Sequence, residues 1–148
     1  RMTENQNDAH RWLKRMWGSE DEIRALNKDR ERLLEQGVAN YDFKHVPGGS
    51  DPNPNESRMI EYSEICAKID ARCLHIAKEN LRTLEVIDKV ANAQFRALLI
   101  NYYVNQMASW ERVGKEMNYE KSRATELGCQ ALDAVYPFIP KGEITEDD

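Results

Sequence analysis

The chain has 148 residues, 32% charged and 41% aliphatic or aromatic, with a formal net charge of −5. This length suits a single domain or a small domain with an extension, and the acidic balance argues against a protein that coats nucleic acid without selectivity. No apolar run approaches the roughly eighteen residues of a membrane helix and no signal peptide is visible, so a cytoplasmic protein without a membrane partner is expected.

Arg1 precedes Met2, which reads as the native start. The segment 8–36 contains no proline, and Ala9, Trp12, Met16, Ser19, Ile23, Leu26, Arg30 and Leu33 recur at steps of three and four. One long helix is expected there. Gly18-Ser19 is a weak spot within it, and Ser19 with Glu22 has the spacing of a capping box. The segment 37–55 carries proline and glycine throughout its second half and reads as a flexible loop that no regular element crosses.

From 56 to 90 the heptad is cleaner. Met59, Tyr62, Cys66, Ile69, Cys73, Ile76, Asn80, Thr83, Ile87 and Val90 form one stripe, and Asn80 at a core position is the kind of polar residue that fixes register. At about 1.5 Å per residue this helix is roughly 50 Å long. Folded back on the first helix it makes an antiparallel hairpin. A lone hairpin buries little surface, so the stripe (Met59, Tyr62, Cys66, Ile69, Cys73, Ile76, Asn80 and Ile87) is expected to hold a homo-oligomer together.

Cys66, Cys73 and Cys129 suggest no disulfide framework, because Cys66 and Cys73 lie about 10 Å apart along one helix. On the stripe they act as small hydrophobes. His10, His45 and His75 have no metal-site spacing, and no nucleophile, phosphate loop or paired carboxylate stands out. No enzyme activity, metal or cofactor is expected.

The segment 92–106 presents Phe95, Leu98, Leu99, Tyr102 and Tyr103 as a broad apolar face, a platform for the helices C-terminal to it. In 110–132, Trp110, Val113 and Met117 form the inner side of a short helix, with Gly114 on the same side to allow a close crossing. Asn118 is suited to a left-handed helix end. A second helix then begins, with Ala124, Leu127, Ala131 and Leu132 inward. Helix, tight turn and helix in this order is a helix-turn-helix, the unit that places its second helix in a DNA major groove. Phe138 and Ile139 come after Pro137 and are expected to cover the end of this core.

The outward face of the second helix carries Ser122, Arg123, Glu126 and Gln130, flanked by Lys121 and Thr125. Arginine can pair with guanine, glutamine with adenine, and glutamate can accept from cytosine. Arg112 and Lys115 on the preceding helix are candidates for phosphate contacts. A plain solvated helix face has a similar composition, and a helical hairpin packed only for stability stays open. Between 95 and 138 five basic residues balance five acidic ones, so any DNA affinity must come from local placement or from two such heads acting together. The expected organisation is all-α. Residues 1–91 form a long antiparallel coiled-coil hairpin with the 37–55 loop, 92–140 a small helix-turn-helix domain, and 141–148 an acidic tail.

The motif Ser109-Trp110-Glu111-Arg112-Val113, the turn Met117-Asn118-Tyr119 and the segment 98–103 resemble phage transcriptional regulators of the ArpU/RinA type. The C-terminal parts of those regulators look like region four of bacterial sigma factors, and the hairpin half is similar in layout only. The resemblance implies a phage- or prophage-encoded regulator in the bacterial host cytoplasm. Such a protein activates late or packaging genes by binding double-stranded promoter DNA, and it can touch RNA polymerase. Glu120 stands where family members often have a capping serine, leaving Ser122 as a candidate cap one step later. An alternative from another class is a phage small terminase subunit or similar packaging protein, which also joins a helix-turn-helix to a coiled coil. A pure protein-interaction module is a third reading, favoured by the acidic balance.

Overall fold

A computed structural model describes residues 1–36 and 54–144 of the chain. Among the described residues there are six α-helices and no strand, as expected for the all-α class. The helices are α1 (Glu4–Leu13), α2 (Ser19–Glu35), α3 (Pro54–Asp88), α4 (Ala93–Leu99), α5 (Trp110–Met117) and α6 (Lys121–Val135). A π-helical turn, Ile100–Val104, comes after α4, and 3₁₀ turns occupy Tyr136–Phe138 and Lys141–Glu143. None of the described helices is long and apolar enough to cross a membrane.

Contacts divide the chain into two compact units, Gly18–Ala77 on one side and Arg1–Trp17 with Lys78–Asp148 on the other. The segments drawn along the sequence at 91 and 140 obey a different principle from this division by contact. Most of the expected loop, 37–53, and the last four residues of the expected tail, 145–148, lie outside the described residues.

The unit Gly18–Ala77 is an antiparallel helical pair. Arg58, near the start of α3, donates to the Gln36 carbonyl at 2.8 Å just past the end of α2, while Arg72, further along α3, pairs with Glu22 at the start of α2. These two ties run in opposite senses along the helices, which makes the pair antiparallel. Leu33 and Ile69 are buried, and Met59, Tyr62, Cys66 and Ile76 are half-buried.

One expectation fails here: the first helical segment is two helices. The chain leaves α1 at Leu13, turns through 14–18, and re-enters helix at Ser19. Gly18 has φ 90°, a left-handed conformation that glycine adopts without steric cost. Ser19 is accordingly the first residue of α2, behind a glycine N-cap with no side-chain cap bond, so the Ser19–Glu22 capping box does not form. The box exists one helix earlier, where Thr3 accepts from the Gln6 amide at 3.2 Å and the Gln6 side chain accepts from the Thr3 amide at 2.9 Å.

The other unit is built around α6. Its largest apolar cluster joins Ala9, Trp12 and Leu13 of α1 to Val86, Ile87 and Val90 at the α3 end, and to Leu99, Tyr103, Ala131, Leu132, Val135 and Ile139. Each fully buried leucine, isoleucine or valine contributes about 1.5–3 kcal/mol relative to exposure. Gln6 fixes α1 to α6 by donating to the Asp133 carboxylate at 2.8 Å and to the Cys129 carbonyl at 3.4 Å. Arg15 stacks over the Trp12 ring at 3.7 Å and reaches the Glu79 carboxylate and the Thr83 hydroxyl, both at 2.9 Å. That guanidinium holds the Glu79 carboxyl below its usual range, chiefly by donating to it. Ile139 is buried as expected, whereas Phe138 is exposed.

Candidate nucleic-acid interface

Helices α5 and α6 are joined by the three residues between Met117 and Lys121. Ser109 starts α5 by accepting from the Arg112 amide at 3.4 Å. Asn118 ends it at φ 62°, ψ 39°, the left-handed cap anticipated for an asparagine there. Its neighbour Tyr119 donates its amide to the Gly114 carbonyl at 2.7 Å, which satisfies a helix-end acceptor. Helix α6 has Glu120 as N-cap without a side-chain bond, and Ser122 lies inside the helix instead of capping it.

Two glycines set the crossing. A Cβ on Gly114 would lie 2.9 Å from both the Ala124 Cβ and the Tyr119 carbonyl oxygen, so the helices pack where no side chain fits. A Cβ on Gly128 would lie 2.7–2.8 Å from three atoms of the Trp110 ring. That ring is stacked on Tyr102, centroids 4.1 Å apart, so it is clamped between α6 and the π-helical turn. Leu98, Val113 and Leu127 form the small core beneath, with Phe95, Tyr102, Met107, Trp110, Met117 and Tyr119 around it.

The platform over 92–106 is not one continuous α-helix. The wide π turn, closed by the Asn105 amide donating to the Ile100 carbonyl at 2.9 Å, interrupts it after Leu99. Gln106 and Ala108 come next with positive φ of 54° and 57°, a conformation that neither residue type signals. Around the turn, Tyr102 and Tyr103 gather His10, Trp17 and Trp110 into one aromatic group. The Tyr103 hydroxyl lies 2.6 Å from His10 Nδ1, and the Trp17 indole donates to the Tyr103 carbonyl at 3.0 Å. Burial pushes the Tyr103 phenol well up, and burial together with Lys14 lowers the His10 pKa.

All eight residues singled out for DNA are exposed: Lys121, Ser122, Arg123, Thr125, Glu126 and Gln130 on α6, Arg112 and Lys115 on α5. Several carry local ties. Arg123 pairs with Glu126 at 3.3 Å, Lys121 with Glu111 across the helix pair at 3.9 Å, and Arg112 donates to the Met107 carbonyl at 3.3 Å. The Thr125 hydroxyl donates back to the Lys121 carbonyl at 2.9 Å. Towards its C-terminal end α6 meets α1 through Cys129 and Asp133, whereas the outward face of its first half is exposed. The Gln6 contact to α6 was not anticipated; the capping pattern Thr3–Gln6 was readable, its long-range partner was not.

Of the expected oligomer stripe, Ile69 and Ile87 are buried, Met59, Tyr62, Cys66, Ile76 and Asn80 are half-buried, and Cys73 is exposed. Within one chain Cys73 therefore lies outside the face that α3 buries. An ideal helix drifts by about 20° per heptad relative to a strict seven-residue repeat, which carries a stripe around the axis unless the helix supercoils. No family model, curated protein or solved structure matches this chain.

Proposed function

We propose that the α5–α6 pair is the DNA-reading head of a sequence-specific transcription regulator, with α6 entering the major groove. One observation carries the reading: a short helix, a three-residue turn closed by left-handed Asn118, and a second helix cross over Gly114 and Gly128, leaving the outward face of the second helix's first half exposed. That half offers Lys121, Ser122, Arg123, Thr125 and Glu126, a set able to contact phosphates and base edges. Arg112 and Lys115 lie on α5, where backbone phosphates would pass. Activation of phage late or packaging genes, and a contact to RNA polymerase, rest on the family resemblance and belong to this proposal.

The test is selection of preferred duplexes from a randomised pool, then titration against variants. Arg123→Ala should cost about 1–3 kcal/mol at the selected site and relax preference at one base pair. Lys115→Ala should weaken binding to every duplex alike and lower the salt slope by about one. Failure of the pool to yield any enriched sequence, with wild type and both variants binding all duplexes equally, would overturn the reading.

A further inference from the structure

Helix α3 carries a second apolar stripe that meets none of the seam facing α2. Ile60, Leu74 and Leu81 are 57%, 56% and 60% exposed, and with exposed Ala67 they recur every seventh residue along this one helix. The alternate positions of the same repeat are Glu64, Ala71 and Lys78, all exposed. Scattered exposed leucines need no explanation, but a heptad with steps of three and four is the pattern of a helix seam. The two alanines lie at its middle, directly beside a leucine, so the stripe is narrow where a second helix could approach and bulky next to it.

We propose that a second copy of this chain docks on this stripe with its α3 antiparallel to the first, about a two-fold axis passing near Ala71. Charge selects both occupant and direction. An antiparallel mate brings Glu64 of one copy opposite Lys78 of the other, twice, and sets Leu74 beside Ala67, large against small. A parallel mate would stack Glu64 on Glu64 and Lys78 on Lys78, which repel. A two-fold contact uses the same patch on both copies, and this patch is complementary to itself only when reversed. The surface is distinct from the seam of Met59, Tyr62, Cys66 and Ile69, and the proposal does not depend on DNA binding.

Sedimentation equilibrium on the full chain across the micromolar range tests it. The wild type should be dimeric. Leu74→Glu should weaken association by at least about tenfold while leaving helicity unchanged, because the position is exposed within one chain and becomes a buried carboxylate only in the dimer. Glu64→Lys and Lys78→Glu should each weaken association, and the two together should restore it. A monomeric wild type, or a Leu74→Glu protein of unchanged mass, overturns the proposal. Single charge reversals without effect overturn the antiparallel arrangement, and the surface charge variants keep the test decisive should Leu74→Glu fold poorly.

Discussion

Gly128→Ala tests whether the α5–α6 crossing is as tight as its geometry indicates. The added Cβ would sit 2.7 Å from Trp110 Cε2 and 2.8 Å from Cδ2 and Cζ2. Carbon atoms rest at about 3.5–4.0 Å, so the ring would have to retreat by roughly 1 Å. It cannot retreat freely, because Tyr102 backs it at 4.1 Å and Tyr103 backs Tyr102 at 4.5 Å. Overpacking of this kind costs about 1–3 kcal/mol, against a gain of about 1 kcal/mol from replacing glycine by alanine within a helix. The net expectation is a loss of about 1 kcal/mol, or roughly 2–4 °C in Tm for a chain of this size. In a Trp110→Leu background the overlap is gone, and the same substitution should stabilise by about 1 kcal/mol. Thermal unfolding monitored by circular dichroism measures both legs of the cycle. If Gly128→Ala raises Tm equally in both backgrounds, the ring yields without cost and the clamp is not one.

The caps and the titrating groups give further expected outcomes. Asn118→Gly should be tolerated, whereas Asn118→Val should destabilise by about 1–2 kcal/mol in urea unfolding, since φ 62° is costly for a side chain branched at Cβ. Ser109→Ala should cost about 1 kcal/mol and loosen the start of α5, seen as faster amide exchange at Arg112. The folded pKa of His10 lies below its ordinary value of 6.5, so the unfolded chain binds the proton more readily. Stability from neutral His10 is thus fully present above pH 6.5 and is lost as pH falls through the lower folded value; His10→Gln should flatten the unfolding midpoint over that range. Glu126→Gln should change stability by less than about 1 kcal/mol, because its pair with Arg123 is exposed, yet it should strengthen nonspecific DNA binding in titrations at low salt.

Periodicity was a good guide wherever one helix met one neighbour. The inward placement of Ile69 on α3, Leu33 on α2, and Val113, Ala124, Leu127 and Ala131 in the α5–α6 pair comes from spacing alone. Asn118 and Gly114 were readable because each residue type suits a specific geometry. What spacing could not register is a break that preserves phase. Ala9, Trp12 and Leu33 share a heptad, yet α1 packs against C-terminal helices while Leu33 is buried on α2, with left-handed Gly18 between them. The π turn after Leu99 is silent for another reason: apart from Asn101 its residues are β-branched or aromatic and mark no turn, and the strain at Gln106 and Ala108 falls on side chains that do not advertise it. The partners of α1 are legible only in three dimensions, since Gln6 and Asp133 stand at opposite ends of the chain.

The charge pattern of the open half of α6 bears on how such a head would bind. Its two strongest cations are not idle: Lys121 faces Glu111 and Arg123 faces Glu126, all four exposed. Exposed pairs of this kind are worth about 0–1 kcal/mol, so a phosphate or a guanine edge can displace the carboxylate cheaply. The displaced glutamate would then remain close to the duplex and repel any approach that does not give it a donor, such as a cytosine amine. A neutral head of this kind would trade bulk attraction for discrimination. With few net charges per head, one copy would release few counterions, and useful affinity would require two heads on one duplex, where the second would bind at an effective concentration set by the first. An antiparallel pairing of two α3 helices would supply two heads and close at two copies. A packaging ring instead needs a head-to-tail contact that continues around. A dimer abolished by Leu74→Glu, together with loss of binding to a repeated site but not to a single one, would tie the reading head to the α3 stripe and weigh against the ring.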